Sequence, residues 1–525
     1  MTHPDLPVAM GRPDFYPHRP AKVDVVQTHI SFIFIAGEEV YKVKKAVDFG
    51  FLDFTTLEKR KFYCEEELRL NRRLAPEAYL GVVPITRDPT GSLQLGGAGQ
   101  AVEYAVHMKR LPQERMLGRL LAEKKADPAV MDAIARRLAD FHSRAETGGR
   151  IDQIGGIETI RRNHEENFSQ TAPYIGVTIP RGRYDFIRAF ALDFLERNRD
   201  LFARRVADHR IRDCHGDLHL EHICVQNGIT IFDCIEFNER FRFGDVAAEV
   251  AFLAMDLDYN GYPDWAESFV EAYVRHSGDP EIRILLNFYR CYYAYVRGKV
   301  VGFRTQDPAI GQNDRQSAVQ TAARYFELAC AYAARPQKPA LILTAGLMGT
   351  GKSVLANRLA PLIGAKLIRT DVLRKELLAI RPAERRPDAF GKGIYTDEIS
   401  QKTYEEAMRI AAEALGKGRP AIIDASFKRR SERLRAAAMA QELGADFFVI
   451  ECVCPEEVIR QRLDARAASG SDPSDGRWEI FLAQKADFDP IGGLPEKQHI
   501  VIDTAAPPEA GLAEALFRIR GFSRS

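Results

Sequence analysis

The spacing of apolar and polar positions changes character three times along the 525 residues. From Lys22 the stretch KVDVVQTHISFIFIAGEEVYKVKKAV is dense in Val, Ile and Phe, with a turn at Ala36-Gly37, and predicts two or three strands. A helix is expected from about Thr55 to Leu74, after which GVVPITRD and AVEYAVHMKRL return to strands. From Glu114 the apolar positions recur at helical spacing, as in VMDAIARRLADFHSRA. A small sheet-rich lobe therefore precedes a larger helical lobe, and the two join near Ala105–Pro112. CAYAARPQKPA then breaks the pattern with two prolines, which predicts a linker at 334–338 between a domain at 22–333 and another at 339–525. Beyond it, ALILTAG, AKLIRT, PAIIDAS and DFFVIECV alternate with helical segments, the signature of βαβ units on a parallel sheet.

Length supports this division, because 525 residues exceed what one ordinary core holds. A balance of 74 basic against 73 acidic residues gives no overall attraction to nucleic acid or membrane. No run approaches 18 apolar residues, so no membrane partner is expected. Residues 1–21 are Pro-rich, lack the apolar centre of a signal peptide, and read as a flexible arm. Eight cysteines without framework spacing suit a reducing cytoplasm. Cys214, Cys224 and Cys234 fall ten residues apart, wider than the close pairs of zinc sites. The pattern carries no information on oligomeric state.

Chemistry enters with GLMGTGKS (Gly346–Ser353), which fits G-x-x-x-x-G-K-[ST] between an apolar strand and a helix. Gly346, Gly349, Thr350 and Gly351 let backbone N–H groups converge on phosphate oxygens, and the helix start adds positive potential. Lys352 would reach the β/γ-phosphates and Ser353 a Mg²⁺ ion. Asp371, at the end of the next strand, is placed either to take a proton from a hydroxyl or to cap a helix, with Arg374 one turn on as an anion clamp. Asp424 ends another strand where it could hold the metal's water shell. Arg462 and Arg466 share one helical face, either as nucleotide ligands or as a solvated stripe. Together these residues resemble the P-loop kinases that include polynucleotide kinases, gluconate kinase and zeta toxins, over about residues 339–505. The resemblance implies transfer of the ATP γ-phosphate to a hydroxyl, with Asp371 and Lys352 catalytic, Arg374 on the acceptor, and Ser353 and Asp424 on Mg²⁺. It implies an acceptor that is a small molecule or a nucleic-acid 5′ end. Lys428, Arg429, Arg430 and Arg433 could serve such an end or form a solvated helix start.

A second device lies in CHGDLHLEHIC (Cys214–Cys224), followed by ITIFDCIEF. This pattern resembles the aminoglycoside phosphotransferase and choline kinase family over about residues 22–333. The resemblance implies Asp217 as base, Asp233 on the metal, a strand lysine on the phosphates and a helix glutamate beside it. Lys42 fits that spacing best, with Lys44 on the same strand face, and Glu67 lies on the inward stripe of its helix. HMKRLP is the expected adenine hinge. The chain departs from the family twice. No Gly-rich loop covers the phosphates, so Thr28–Ser31 would have to bind them, and His222 stands where the family has a metal-binding asparagine. An imidazole there favours Mn²⁺ more than an oxygen ligand would.

The expected fold class is α/β and α+β: a bilobal protein-kinase-like domain, then a parallel-sheet P-loop NTPase domain. The expected function is ATP-dependent phosphotransfer by two kinase-like modules. The alternative makes the P-loop half a regulatory ATPase coupled to a non-catalytic N-terminal binding module.

Overall fold

The computed structural model describes residues 5–307, 310–336, 338–380, 393–469 and 478–522. Contacts divide the chain into two compact units: Met1–Asn163 with Asn198–Tyr293, and His164–Arg197 with Ala294–Ser525.

The first unit is built on a six-stranded antiparallel sheet. Its strands run in the order 23–27, 31–36, 39–44, 100–109, 79–87 and 93–95. The helix Leu57–Asn71 packs on it and is capped by the Thr56 side chain, which accepts from the Lys59 amide. Its buried positions are Arg60, Cys64, Glu67, Leu70 and Asn71, spaced for one face but largely polar. Each polar member is satisfied, Arg60 by both Glu103 oxygens at 2.9 Å and Asn71 by the Glu67 carbonyl. Longer helices, among them Val130–Arg144, Val246–Tyr259 and Pro263–Ser277, brace the loop that follows strand Ile211–Asp213.

The stretch expected to be a flexible arm is corrected in its described part. Leu6, Met10 and Tyr16 are buried with Phe34, Tyr41, Val43 and Ile85, and the Tyr16 hydroxyl donates to the Met10 carbonyl at 2.7 Å. Three large buried side chains, with Phe15 packed beside them, supply enough burial to fix the segment.

The second unit holds a five-stranded parallel sheet in the order 366–369, 421–424, 340–345, 446–453 and 499–503. The central strand Ala340–Ala345 is buried at every position, as a strand covered on both faces must be. Its register places Thr344 beside Asp424, and Asp424 beside Arg369 of the next strand.

The compact units do not part at 334–338. Helices Arg181–Arg197 and Gln312–Ala334 belong with the parallel sheet because they cover the apolar face of helices Lys352–Ile363 and Pro508–Arg520. Phe186 meets Phe517 and Phe522 edge-on or tilted, with ring centroids 5.5 and 5.8 Å apart. Gly182 lies so close that a Cβ there would stand 2.7 Å from the Ala513 methyl. Helical periodicity shows that a face is apolar, not which partner covers it. Among the described residues no helix is long and apolar enough to cross a membrane.

Candidate active sites

In the first unit the site grows from strand 39–44, whose alternation points Lys42 and Lys44 to one side. Lys42 Nζ lies 2.7 Å from Asp233 Oδ1 and 2.9 Å from Glu67 Oε1. Lys44 Nζ lies 2.6 Å from Glu67 Oε2 and also bonds Glu236. The Lys44 side chain is 1% exposed and that of Lys42 13%, so Lys42 borders the open site while Lys44 is sealed beneath it. Burial works against both ammonium charges, but the surrounding carboxylates more than offset it and hold both pKa values above the usual lysine range. Burial likewise opposes the Asp233 charge, yet Lys42 and His222 pull its pKa well below the ordinary carboxylate value. Asp233 itself has φ +62°, and its amide donates to the Tyr79 hydroxyl at 3.2 Å. An aspartate tolerates this left-handed conformation better than most residues.

Asp217 stands on the loop after strand 211–213. Burial raises its pKa, but His219, His222 and His215 overcome that and bring it down to about 2. His222 Nδ1 lies 2.8 Å from the Asp217 carbonyl, which can only accept, so Nδ1 carries the proton. His222 Nε2 then faces Asp233 Oδ2 at 3.5 Å. The loop is braced from behind. Glu249 accepts from the His215 and Gly216 amides, both at 2.8 Å, and from His142 Nε2 at 2.7 Å, while His142 Nδ1 meets the Tyr273 hydroxyl. Gly216 has φ +87°, and a Cβ there would lie 2.8 Å from the Phe241 carbonyl, so only glycine fits.

The phosphate cradle expected at Thr28–Ser31 is not formed. Thr28 Oγ1 accepts from the Ile30 and Ser31 amides at 3.4 and 2.9 Å, and the Thr28 amide donates to the Ser31 carbonyl. The turn spends these donors on closing itself.

In the second unit the Gly346–Ser353 loop joins the central strand to helix Lys352–Ile363. Gly346, Gly349 and Gly351 take φ values of +129°, +78° and +85°. A Cβ at Gly346 would lie 2.6 Å from the Cys452 carbonyl and one at Gly349 2.8 Å from Ile459 Cγ2. Lys352 Nζ and Thr350 Oγ1 each donate to the Leu347 carbonyl at 2.7 Å, folding the loop on itself. Arg462 braces the loop rather than standing in a solvated stripe. Its guanidinium reaches the Gly349 carbonyl at 3.4 Å, Thr504 Oγ1 at 3.1 Å and the Thr504 carbonyl at 2.6 Å. The side chain of Arg466 lies outside the described residues.

Asp371 sits in the first turn of helix Thr370–Leu377, whose cap position is Arg369, so it is not the helix cap. Burial and the neighbouring Asp424 raise its pKa against the pull of Arg374, Lys352 and Arg369. Asp424 accepts from Thr344 Oγ1 at 3.0 Å and lies 3.6 Å from Arg369 Nε. Arg374 reaches the Ile394 carbonyl at 3.2 Å and Ser400 Oγ at 3.0 Å. Asp371, Arg374, Asp424 and Lys352 thus share one electrostatic neighbourhood beside the loop, with Ser353 on the adjoining helix turn. Three of the four basic residues are spoken for: Lys428 and Arg429 pair with Asp487 at 2.8 and 2.6 Å, and buried Arg433 donates to three carbonyls, those of Phe427, Asp489 and Pro490.

The profile described as "Phosphotransferase enzyme family" matches residues 59–285, and that described as "AAA domain" matches residues 341–491. Proteins of Mycobacterium tuberculosis (strain ATCC 25618 / H37Rv) and Mycobacterium bovis, described only as uncharacterized, are each 31% identical over 494 residues, 94% of this chain and 94% of each relative. The chain belongs to their family. Among solved structures, an aminoglycoside 2′-phosphotransferase in its GDP complex aligns with 62% of this chain and 99% of its own at 12% identity and a TM-score of 0.38. A gluconokinase from Sinorhizobium meliloti 1021 aligns with 35% of this chain and 93% of its own at 20% identity and a TM-score of 0.26. The two profiles make this family member a phosphotransferase with two kinase-type, nucleotide-binding modules, one of them a P-loop domain.

Several residues of these sites carry no sequence signal. Glu236 follows Asp233 by three positions but belongs to no motif read above, and its role is fixed by Lys44. Glu249, His142 and Tyr273 brace the His215–Asp217 loop from separate helices. Thr504 donates to the Thr350 carbonyl at 2.7 Å, and Gln484 accepts from the Met348 amide at 2.8 Å, both supporting the P-loop from distant segments.

Proposed function

We propose that the P-loop module transfers the γ-phosphate of ATP to a hydroxyl of a small molecule, with Asp371 as the base. The observation that carries this reading is the Asp371 carboxyl itself: half-buried, raised in pKa, and facing Arg374, Lys352 and Asp424 beside the loop. A carboxylate whose pKa is moved toward neutrality is a stronger proton acceptor than an exposed one. The loop amides, the helix start and Lys352 would hold the β/γ-phosphates, and Arg374 would orient the acceptor. Ser353 and Asp424 supply oxygen donors, which suits Mg²⁺. Such an ion would offset phosphate charge when bound. Pairing of Lys428, Arg429 and Arg433 within the protein favours a small acceptor over a nucleic-acid 5′ end.

The N-terminal module is read as a second alcohol kinase. Lys42 and Glu67 would bind the phosphates, Asp217 would take the acceptor proton, and Asp233 with His222 Nε2 would hold the nucleotide's metal. One oxygen and one nitrogen donor suit Mn²⁺ better than Mg²⁺. Eight unpaired cysteines, seven of them buried, support a cytoplasmic setting.

The test incubates the purified chain with γ-labelled ATP and a panel of sugars, polyols and amino alcohols. In a chain whose first module is disabled by Asp217→Asn, label should enter an acceptor and be lost when Lys352→Ala or Asp371→Asn is added. Label transfer that survives in both variants would contradict the reading of the P-loop module.

A further inference from the structure

We propose that Gln484 is a positioning residue of the P-loop module: it sets where Lys352 stands by fixing the peptide that joins Leu347 to Met348. The inference rests on the reading of Lys352 as the ligand of the β/γ-phosphates. The two ends of that one peptide carry different partners. Its carbonyl, on Leu347, accepts from Lys352 Nζ and from Thr350 Oγ1, each at 2.7 Å. Its N–H, on Met348, donates to Gln484 at 2.8 Å. An N–H can only donate, so the atom it meets is the side-chain oxygen Oε1. A peptide unit is planar, and turning its N–H turns its C=O with it. The group that holds the Met348 amide therefore aims the carbonyl on which the Lys352 ammonium rests.

The helix Trp478–Ala486 presents Gln484 to the loop. Residues 478, 481 and 484 recur at three-residue spacing and share one face. Phe481 is fully buried with Ile459 and Leu463, and the Leu347, Met348 and Trp478 side chains pack against that cluster. The Trp478 and Phe481 rings stack with centroids 4.8 Å apart. This stripe covers the same dipeptide whose amide Gln484 holds. At 8% exposed, Gln484 takes a position that packing alone would give to leucine or methionine. A buried side-chain amide is costly there unless it is bonded, and its bond goes to the loop. Just past the helix, Asp487 pairs with Lys428 and Arg429, which anchors this segment independently of the loop.

Nucleotide binding asks Lys352 to exchange the Leu347 carbonyl for phosphate oxygens. A fixed peptide plane gives that exchange one starting position. Loss of the Gln484 bond leaves the Met348 amide without its acceptor and frees the plane to rotate, so the carbonyl no longer holds Lys352 in one place. The loss falls on ligands that carry a β- or γ-phosphate, because AMP offers Lys352 nothing to reach.

The experiment measures ATP and AMP affinity by calorimetry on full chains that carry Lys42→Met, which weakens nucleotide binding by the first module; no acceptor is needed. Gln484→Met keeps the volume and removes the acceptor oxygen. It should weaken ATP by about tenfold and AMP by no more than about twofold, with an unchanged melting temperature. Met348→Pro removes the same hydrogen bond from its donor side and should give the same loss, which keeps the test open if Gln484→Met folds poorly. Added to Lys352→Ala, Gln484→Met should change ATP affinity by no more than about twofold, because the residue it positions is gone. Equal weakening of ATP and AMP overturns the proposal, as does a tenfold loss that persists beside Lys352→Ala. ATP affinity that falls in Lys352→Ala but not in Gln484→Met or Met348→Pro overturns it and leaves the kinase reading standing. ATP affinity unchanged in Lys352→Ala contradicts the phosphate role of Lys352 and overturns both.

Discussion

Lys42 and Asp233 meet at 2.7 Å although 191 positions of chain separate them. Two strand lysines on one face share Glu67, but only Lys42 touches the aspartate that borders the open site. Lys44 is turned inward to Glu67 and Glu236. The two lysines therefore have different duties, and two substitutions separate them. Lys42→Met should weaken nucleotide binding by the first module by about tenfold or more while leaving stability near wild type. Lys44→Met leaves buried Glu236 without its cation and Glu67 with Lys42 alone, and should cost about 3–5 kcal/mol in urea unfolding. Equal stability losses in the two variants would contradict the division.

Lys352→Ala removes a side chain that folds onto the loop's own Leu347 carbonyl and packs little. We expect P-loop turnover to fall by roughly 10³-fold with an unchanged melting temperature, because phosphate contacts act mainly in the transition state.

Asp371→Asn keeps size and removes basicity. Turnover should fall by roughly 10²-fold or more with nucleotide affinity preserved. In the wild type, the base is lost as pH falls through a pKa above the ordinary aspartate value, so the acid limb should lie above that value. The same shift has a stability consequence. A carboxyl whose pKa is raised on folding is most favourable when protonated, below its unfolded pKa, and that advantage is lost as pH rises through the folded value. Asp371→Asn should therefore melt at or slightly above the wild type near neutral pH, and a lower melting point would mark the residue as structural.

A fragment spanning 339–525 should not behave as an independent domain. It would expose the face of Phe517 and Ala513 that Phe186 and Gly182 cover, and leave Glu509 without Arg183. Expressed alone it is expected to bind apolar dyes and melt early, whereas adding the helices at 164–197 and 294–334 should restore it.

What could be read in the chain follows from where each signal lies. GLMGTGKS and HGD with its distant aspartate are local patterns whose chemistry constrains neighbouring residues, so the loop, the two module types and the fold class were legible. The Lys42–Lys44 ambiguity was not, because strand alternation puts both on one face and only Glu236, outside any motif, distinguishes them. Thr28–Ser31 read as donors to phosphate, yet the hydroxyl and amides satisfy one another, an arrangement residue type does not disclose. Arg429 and Lys428 read as an exposed basic run because Asp487, their partner, lies about 60 positions away. The partition of helices between the units depends on apolar faces that have no partner written in them.

The central claim is that the P-loop module is a kinase rather than an ATPase, and one measurement addresses it most directly. The Asp217→Asn chain, with its first module disabled, is supplied with ATP and the acceptor found by label transfer, and ADP is counted against phosphorylated acceptor. The account predicts one ADP per phosphorylated acceptor, with both lost together in Asp217→Asn/Asp371→Asn. ADP released at an undiminished rate with no phosphorylated acceptor would contradict it.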